Sequence, residues 1–262
     1  VSKGILVYAY NNESIDYVKQ ARDLAIRARK HLGLPTTIVT DADVTDPVFD
    51  QVIVSNLQDY TSKSYNNGTS NQTLSFKNTK RSSSFDLTPY DETLVLDSDI
   101  IICDDTYKHC FDQPNNLLIY KDAYHVVQNR DYKEFDKISE TSIDFYWATC
   151  VFFRKTKTNQ IFFNLIDHIK DNYSHYRMSY QILSQTFRND FAFSIAIHIM
   201  NGHLKDAFVH SMPGTLYYTT DRDTLCSIND DELWIVGEDR NPYRLTNTTL
   251  HAMNKFNLEE LL

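Results

Sequence analysis

Residues 93–102 read Thr-Leu-Val-Leu-Asp-Ser-Asp-Ile-Ile-Ile, an apolar run broken by two carboxylates and then resumed. Thr93 to Leu96 lack the alternation of a half-exposed strand, so the segment predicts a strand buried on both faces. A strand of that kind needs helices above and below it, which points to an α/β layered fold. The opening of the chain agrees. Gly4 to Tyr10 (GILVYAY) predict a buried strand, and Asn11, Asn12 and Ser14 break it and supply capping side chains. Ile15, Val18, Ala21, Ala25, Ala28 and Leu32 then recur at helical spacing until Gly33 and Pro35. Thr36 to Thr40 and Gln51 to Val54 predict the next two strands. Strand, helix, strand with short links is the start of a parallel sheet.

Further along, residues 145–153 (FYWATCVFF) and 233–236 (LWIV) predict strands. Ile161, Phe162, Leu165, Ile166 and Ile169 predict an amphipathic helix, and Phe191 to Met200 an apolar one that stops at Asn201-Gly202. Asn189 reads as the N-cap of that second helix. Residues 61–84 are polar, and their charges (Lys63, Lys77, Lys80 and Arg81) are all positive. Up to Thr73 this stretch reads as a solvated surface loop. A polar loop of that length in a compact fold is nonetheless more often functional than connective.

The chemistry concentrates at Asp97-Ser98-Asp99. Carboxylates at i and i+2 on an extended backbone point the same way. At the carboxyl end of a parallel strand they face the crevice where open α/β sheets bind ligands. Two carboxylates in an apolar setting repel, and a hard divalent cation is the usual compensation. Asp104 and Asp105 read as solvated loop residues.

Composition removes several alternatives. The chain has six glycines, and the nearest two, Gly202 and Gly214, are twelve residues apart. Neither GxGxxG nor a P-loop can be written with that spacing, so a phosphorylated ligand is not held in a glycine-lined cradle. A net charge of −9 is a poor prior for nucleic-acid binding. The four cysteines, Cys103, Cys110, Cys150 and Cys226, show no zinc spacing and read as buried free thiols. No apolar run is long enough to span a membrane, and the chain does not open on a signal-peptide pattern. These features set the expectation of a cytoplasmic protein.

The stretch from Leu87 to Ile102, LTPYDETLVLDSDIII, resembles the core of GT-A-fold glycosyltransferases, especially glycogenin-like and bacterial or viral sugar transferases. The resemblance implies a single GT-A (Rossmann-like) domain over residues 1–262, with a mixed, mainly parallel central sheet flanked by helices. Residues 1–105 would form the nucleotide-binding half. Residues 106–262 would form the acceptor side, with a metal-binding C-terminal segment. It also implies that Asp97 and Asp99 bind Mn²⁺ or Mg²⁺ against the diphosphate of a nucleotide sugar, with Asp97 and Ser98 near the donor.

Leu250-His251-Ala252-Met253-Asn254-Lys255 resembles the late H-x-x-x-K segment of the same enzymes, in which His is the third metal ligand and Lys meets the diphosphate. The glycine usual in that segment is absent here. By position in the family, Tyr8, Ala9, Tyr10 and Asp41 would line the base and ribose, and Lys77 and Arg81 would meet donor phosphate or sugar. Trp147, Ala148 and Thr149 would stand beside the donor sugar, although the N-x-G expected there is missing. Asp190 is the candidate for binding a sugar or acceptor hydroxyl, and for the base if the reaction inverts.

The activity implied is Mn²⁺- or Mg²⁺-dependent transfer of a hexose or pentose from a UDP-linked donor to a hydroxyl, with retention favoured. The acceptor is a glycan, a polysaccharide or a hydroxymethylated DNA base. Two other readings are a sugar-nucleotide nucleotidyltransferase, which normally carries a Gly-rich opening absent here, and a non-catalytic carbohydrate-binding protein.

Overall fold

The computed structural model describes residues 1–55, 61–66, 70–127, 136–139, 142–202 and 208–262. Its central sheet contains β1 (Lys3–Tyr8), β2 (Thr36–Thr40), β3 (Gln51–Val54), β6 (Glu92–Asp97), β8 (Leu117–Tyr120) and β10 (Trp147–Arg154). Strands are numbered in chain order. The spatial order is β3-β2-β1-β6-β10-β8, with the first four parallel and β10 antiparallel to both of its neighbours. The architecture is therefore α/β with a mixed, mostly parallel sheet. Strands from either side of residue 105 share it.

Leu94, Val95 and Leu96 are buried on both faces, as their continuous apolar character requires. Helix α1 (Tyr17–Arg27) covers part of the sheet through Ala21, Leu24 and Ala25. Its cap is Asp16, which accepts from Lys19 N at 3.0 Å. Asn11 and Asn12 tie the entry instead: Asn11 accepts from Val18 N and Asn12 from Ile15 N. Ile15 thus lies ahead of the helix rather than in it. One π-helical turn follows at Ala28–Leu32, and Gly33 ends it at φ 67°, a left-handed conformation that glycine adopts at little cost. The short α2 (Ser84–Leu87) follows a 3₁₀ turn at Arg81–Ser83.

Helices α3 (Lys157–Asp171), α4 (Tyr173–Ser179) and α5 (Asn189–Met200) come next. Phe162 and Phe163 of α3 meet Phe193 of α5 edge to face, and Phe163 also meets Phe153 of β10. Helix α5 is capped by Arg188 without a side-chain bond, so Asn189 is not its cap. Asn189 sits inside the helix and donates to Asn78 O at 2.8 Å.

A second sheet has the order β7-β15-β11-β9, from β7 (Ile100–Ile101), β9 (Ala123–His125), β11 (Leu216–Thr219) and β15 (Leu250–Ala252). A meander of β12 (Thr224–Asn229), β13 (Glu232–Val236) and β14 (Pro242–Thr246) precedes β15, and α6 (Lys255–Leu261) ends the chain.

Two expectations need correction. Residues 61–73 are not a solvated loop: β4 (Thr61–Asn66) and β5 (Asn71–Phe76) pair as an antiparallel hairpin, with residues 67–69 outside the described part. Pairing Lys63 with Leu74 and Tyr65 with Gln72 puts Lys63, Tyr65, Leu74 and Phe76 on one face. Tyr65 and Leu74 are buried there with Ile15, against Tyr17 and Phe256. Cys103, Cys110 and Cys150 are buried, but Cys226 is exposed, on β12.

Candidate functional site

From β1 the chain moves to β2 on one side and later returns to β6 on the other. The carboxyl ends of β1 and β6 are therefore the switch point where open sheets leave a crevice. Register sets Tyr8 directly beside Asp97 there. A cavity of 690 Å³ opens at this point, roofed by the hairpin and bounded on the far side by the start of α5 and the residues after β11.

Asp97 is the last residue of β6. The chain then turns through Ser98-Asp99 and leaves the central sheet as β7. The two carboxylates therefore converge through a turn, not through the extended i, i+2 alternation expected from the sequence. Ser98 lines the cavity but directs its hydroxyl to Gln20 of α1 at 3.5 Å. Strand β7 pairs antiparallel with β15, setting His251 opposite Ile100, and Ala252 N donates to Asp99 O at 3.0 Å. Thus 152 residues of separation are closed by one strand pair. One ligand atom from each of Asp97, Asp99 and His251 lies within 4.8 Å of the others.

The electrostatics of the cluster are those of a held charge. Asp99 is buried, and Lys255 donates to its Oδ2 at 2.6 Å while His251 Nε2 stands 3.2 Å from the same atom. Burial opposes ionisation of Asp99, but Lys255 and then His251 outweigh it and hold the carboxyl well below the usual range. Asp97 pairs with Arg81, a fully buried guanidinium that also donates to Ala148 O. Burial works against the Arg81 charge, and Asp97 more than offsets it. Two buried nitrogens of this cluster, His251 Nδ1 and Arg81 Nε, have no partner among the described residues. In a native fold such atoms call for a ligand or water.

Tyr8 and Tyr10 line the cavity with their rings 6.4 Å apart. The Tyr8 hydroxyl is committed to Ser84 at 2.9 Å, and burial raises its pKa. Ala9 projects to the other face of the strand, is fully buried and does not line the cavity. Asp41 also stays out of the lining, where it holds Lys77, which is in the lining, at 2.9 Å. Trp147, Ala148 and Thr149 form part of the wall. Asp190 bridges: Oδ1 accepts from Ala148 N at 3.0 Å and Oδ2 from Arg188 at 3.0 Å.

Sequence reasoning did not reach Lys63, Tyr65, Arg188 or Arg222, all in the lining. The hairpin had a signal: Asn67-Gly68 between two runs rich in Ser and Thr with Tyr and Phe marks a tight turn. Lys63, Lys77, Arg81, Arg188, Arg222 and Lys255 face the cavity against Asp97, Asp99, Asp190 and Asp221. In a chain of net charge −9 this is a local excess of positive charge, suited to an anionic ligand.

No protein-family description matches the sequence, and no curated protein matches it either. Among solved structures the chain is similar to the glycosyltransferase GlyE of Streptococcus pneumoniae TIGR4. That match has 14% identity and a TM-score of 0.45, and covers 80% of this chain and 45% of that one. The chain is also similar to the galactosyltransferase LgtC in complex with donor and acceptor sugar analogues, at 14% identity and a TM-score of 0.44, covering 79% of this chain and 72% of that one. An active-site mutant of LgtC gives 14% identity and a TM-score of 0.47, with the same coverage. The chain spans less than half the length of GlyE. Likenesses this distant say nothing about chemistry.

Proposed function

We propose that this chain is a GT-A-fold, metal-dependent glycosyltransferase that moves a sugar from a UDP-linked donor to an acceptor hydroxyl. The observation that carries the reading is the convergence of Asp97, Asp99 and His251 at the switch-point cavity, with Arg81 and Lys255 paired to the same two carboxylates.

The donor set fits a divalent cation. Two carboxylates and an imidazole, with no thiolate, suit Mn²⁺ or Mg²⁺ better than a soft metal. The buried His251 Nδ1 without a partner is consistent with an imidazole held for a ligand. When bound, the ion would neutralise charge on the departing diphosphate.

The remaining work falls to the chain. Lys255, now on Asp99, is placed to share its ammonium with the diphosphate. Arg81 fixes Asp97 and the Ala148 carbonyl, so the floor beneath the donor sugar is rigid. Tyr8 and Tyr10 offer ring surface to the base. Asp190 has one oxygen on backbone and the other on Arg188. That engagement favours holding a sugar or acceptor hydroxyl over acting as a free base. It agrees with a retaining reaction, in which the acceptor proton passes to the departing diphosphate. The acceptor is a glycan hydroxyl by preference, since a net charge of −9 is unfavourable for a DNA substrate. Residues 1–262 act as one unit in this reading.

The test is a donor screen: purified protein with Mn²⁺ and a panel of nucleotide sugars, read as slow donor hydrolysis and as a thermal shift. UDP-sugars should be hydrolysed, and Asp99→Ala should abolish the turnover. No turnover or shift with any donor, or full activity in Asp99→Ala, would falsify the proposal.

A further inference from the structure

Lys63 has no place in the reading above, and it stands inside the cavity. It lies on the inner face of the hairpin, with its ammonium 5.5 Å from the Tyr65 ring centre and 5.3 Å from that of Phe76. That face is pinned over the site by Tyr65 and Leu74 packed on Ile15, by Tyr17 donating to Tyr65 at 3.2 Å, and by Glu13 accepting from Ser75 N at 3.1 Å. Lys63 keeps solvent-accessible area and lines the cavity.

The other cations of this wall each hold a carboxylate: Lys77 on Asp41, Arg81 on Asp97, Arg188 on Asp190, Arg222 on Glu238 and Lys255 on Asp99. Lys63 has no carboxylate within ion-pair distance among the described residues. Burial, and then the neighbouring charges of Lys255 and Arg188, push its pKa down to about 8. Asp190 and Asp99 act the other way and do not restore it. Lys63 is thus the cation of this wall that lacks a counter-charge, and an anion bound between Lys63 and Lys255 would supply it.

We propose that Lys63 is a second diphosphate-binding lysine, gripping from the hairpin the same anion that Lys255 meets from the floor of the cavity. The proposal rests on the nucleotide-sugar reading and adds a residue to it. It also gives the hairpin a function, since the aromatic rings beside Lys63 and the buried Tyr65-Leu74 face hold the ammonium over the cavity.

The experiment is calorimetric binding to the full chain with Mn²⁺ and again in EDTA. UDP, ADP, GDP and CDP are each compared with the matching nucleoside, for wild type, Lys63→Met and Lys63→Arg. Lys63→Met should weaken the preferred nucleoside diphosphate by about tenfold to a hundredfold, the worth of a charge-assisted hydrogen bond. It should leave the nucleoside unchanged, and Lys63→Arg should recover most of the loss. Unchanged melting temperatures would show that the hairpin and fold persist. Equal losses for nucleoside and diphosphate, or no loss for either, overturn the assignment of Lys63 while leaving the nucleotide-sugar reading intact. A wild-type protein that binds none of the four diphosphates overturns both.

Discussion

Two residues away from the Asp97, Asp99 and His251 cluster show how much single side chains decide here. Asp223 is buried with His125, whose Nε2 lies 2.6 Å from its Oδ2, and it also accepts from Thr220 N and Glu238 N. Burial opposes its charge, yet these partners prevail and lower its pKa. The residue thereby fixes the 220–222 segment that lines the cavity. Asp223→Ala should cost about 1–3 kcal/mol, the usual penalty for leaving buried hydrogen-bond donors without their acceptor. Because the folded pKa is depressed, the Asp223 contribution is complete above the unfolded value of about 3.9 and is lost as pH falls below it. Urea unfolding at pH 7 and at pH 3 should therefore show the gap between wild type and variant narrowing in acid. Gly4 makes the second case. A Cβ there would collide with the Tyr90 ring, which is held in place by a 2.8 Å bond to Thr37. Gly4→Ala should lower stability by about 1–3 kcal/mol, as overpacking does, measurable as a shift in the urea midpoint at constant slope.

At the scale of elements, the hairpin β4–β5 is a satellite of the core, not part of it. Among the described residues its cluster contains Ile15, Tyr65 and Leu74, with Tyr17 and Phe256 packed against them. Local opening should thus be cheaper than global unfolding. Leu74→Ala is expected to speed amide exchange in 61–66 and 71–76 with little change in exchange of β1 or β6. Equal acceleration in the central strands would show that the hairpin is integral to the core after all. Helix α6 is coupled to the site in a different way: Asn254 accepts from Asn257 N at 3.1 Å as its cap, which places Lys255 in the first turn within reach of Asp99.

For the molecule as a whole, the site joins chain segments far apart in sequence: Tyr8, Arg81, Asp97, Asp190 and His251 come from five separate regions. A ligand that bridges them stabilises the folded state and not the unfolded one. Mn²⁺ should raise the melting temperature of the wild type with increasing concentration, approaching about 2.7 kcal/mol at a hundred times the dissociation constant. His251→Ala should shift the midpoint of that titration to higher Mn²⁺, and Asp99→Asn should flatten it. A full-sized Mn²⁺ shift in Asp99→Asn would place the ion elsewhere. Among the described residues no helix is long and apolar enough to cross a membrane.

The buried strand ending at Asp97 was legible from its apolar run, because a strand covered on both faces has no polar residue to alternate. The first three strands and α5 were legible as short apolar runs, and α1 and α3 because burial of one helix face imposes a period. His251 could be singled out only by resemblance, since nothing local in LHAMNK tells a ligand from a core histidine. What joined it to Asp99 is the antiparallel pairing of β7 with β15, and strand partners distant in sequence leave no mark in either strand. The same holds for the turn at Ser98, for Ala9 facing away from the cavity, and for the hairpin that carries Lys63. Local pattern determined which residues are buried and where charge is out of place. Only the tertiary structure decided which of those charges meet, because that depends on contacts the chain closes over more than a hundred residues.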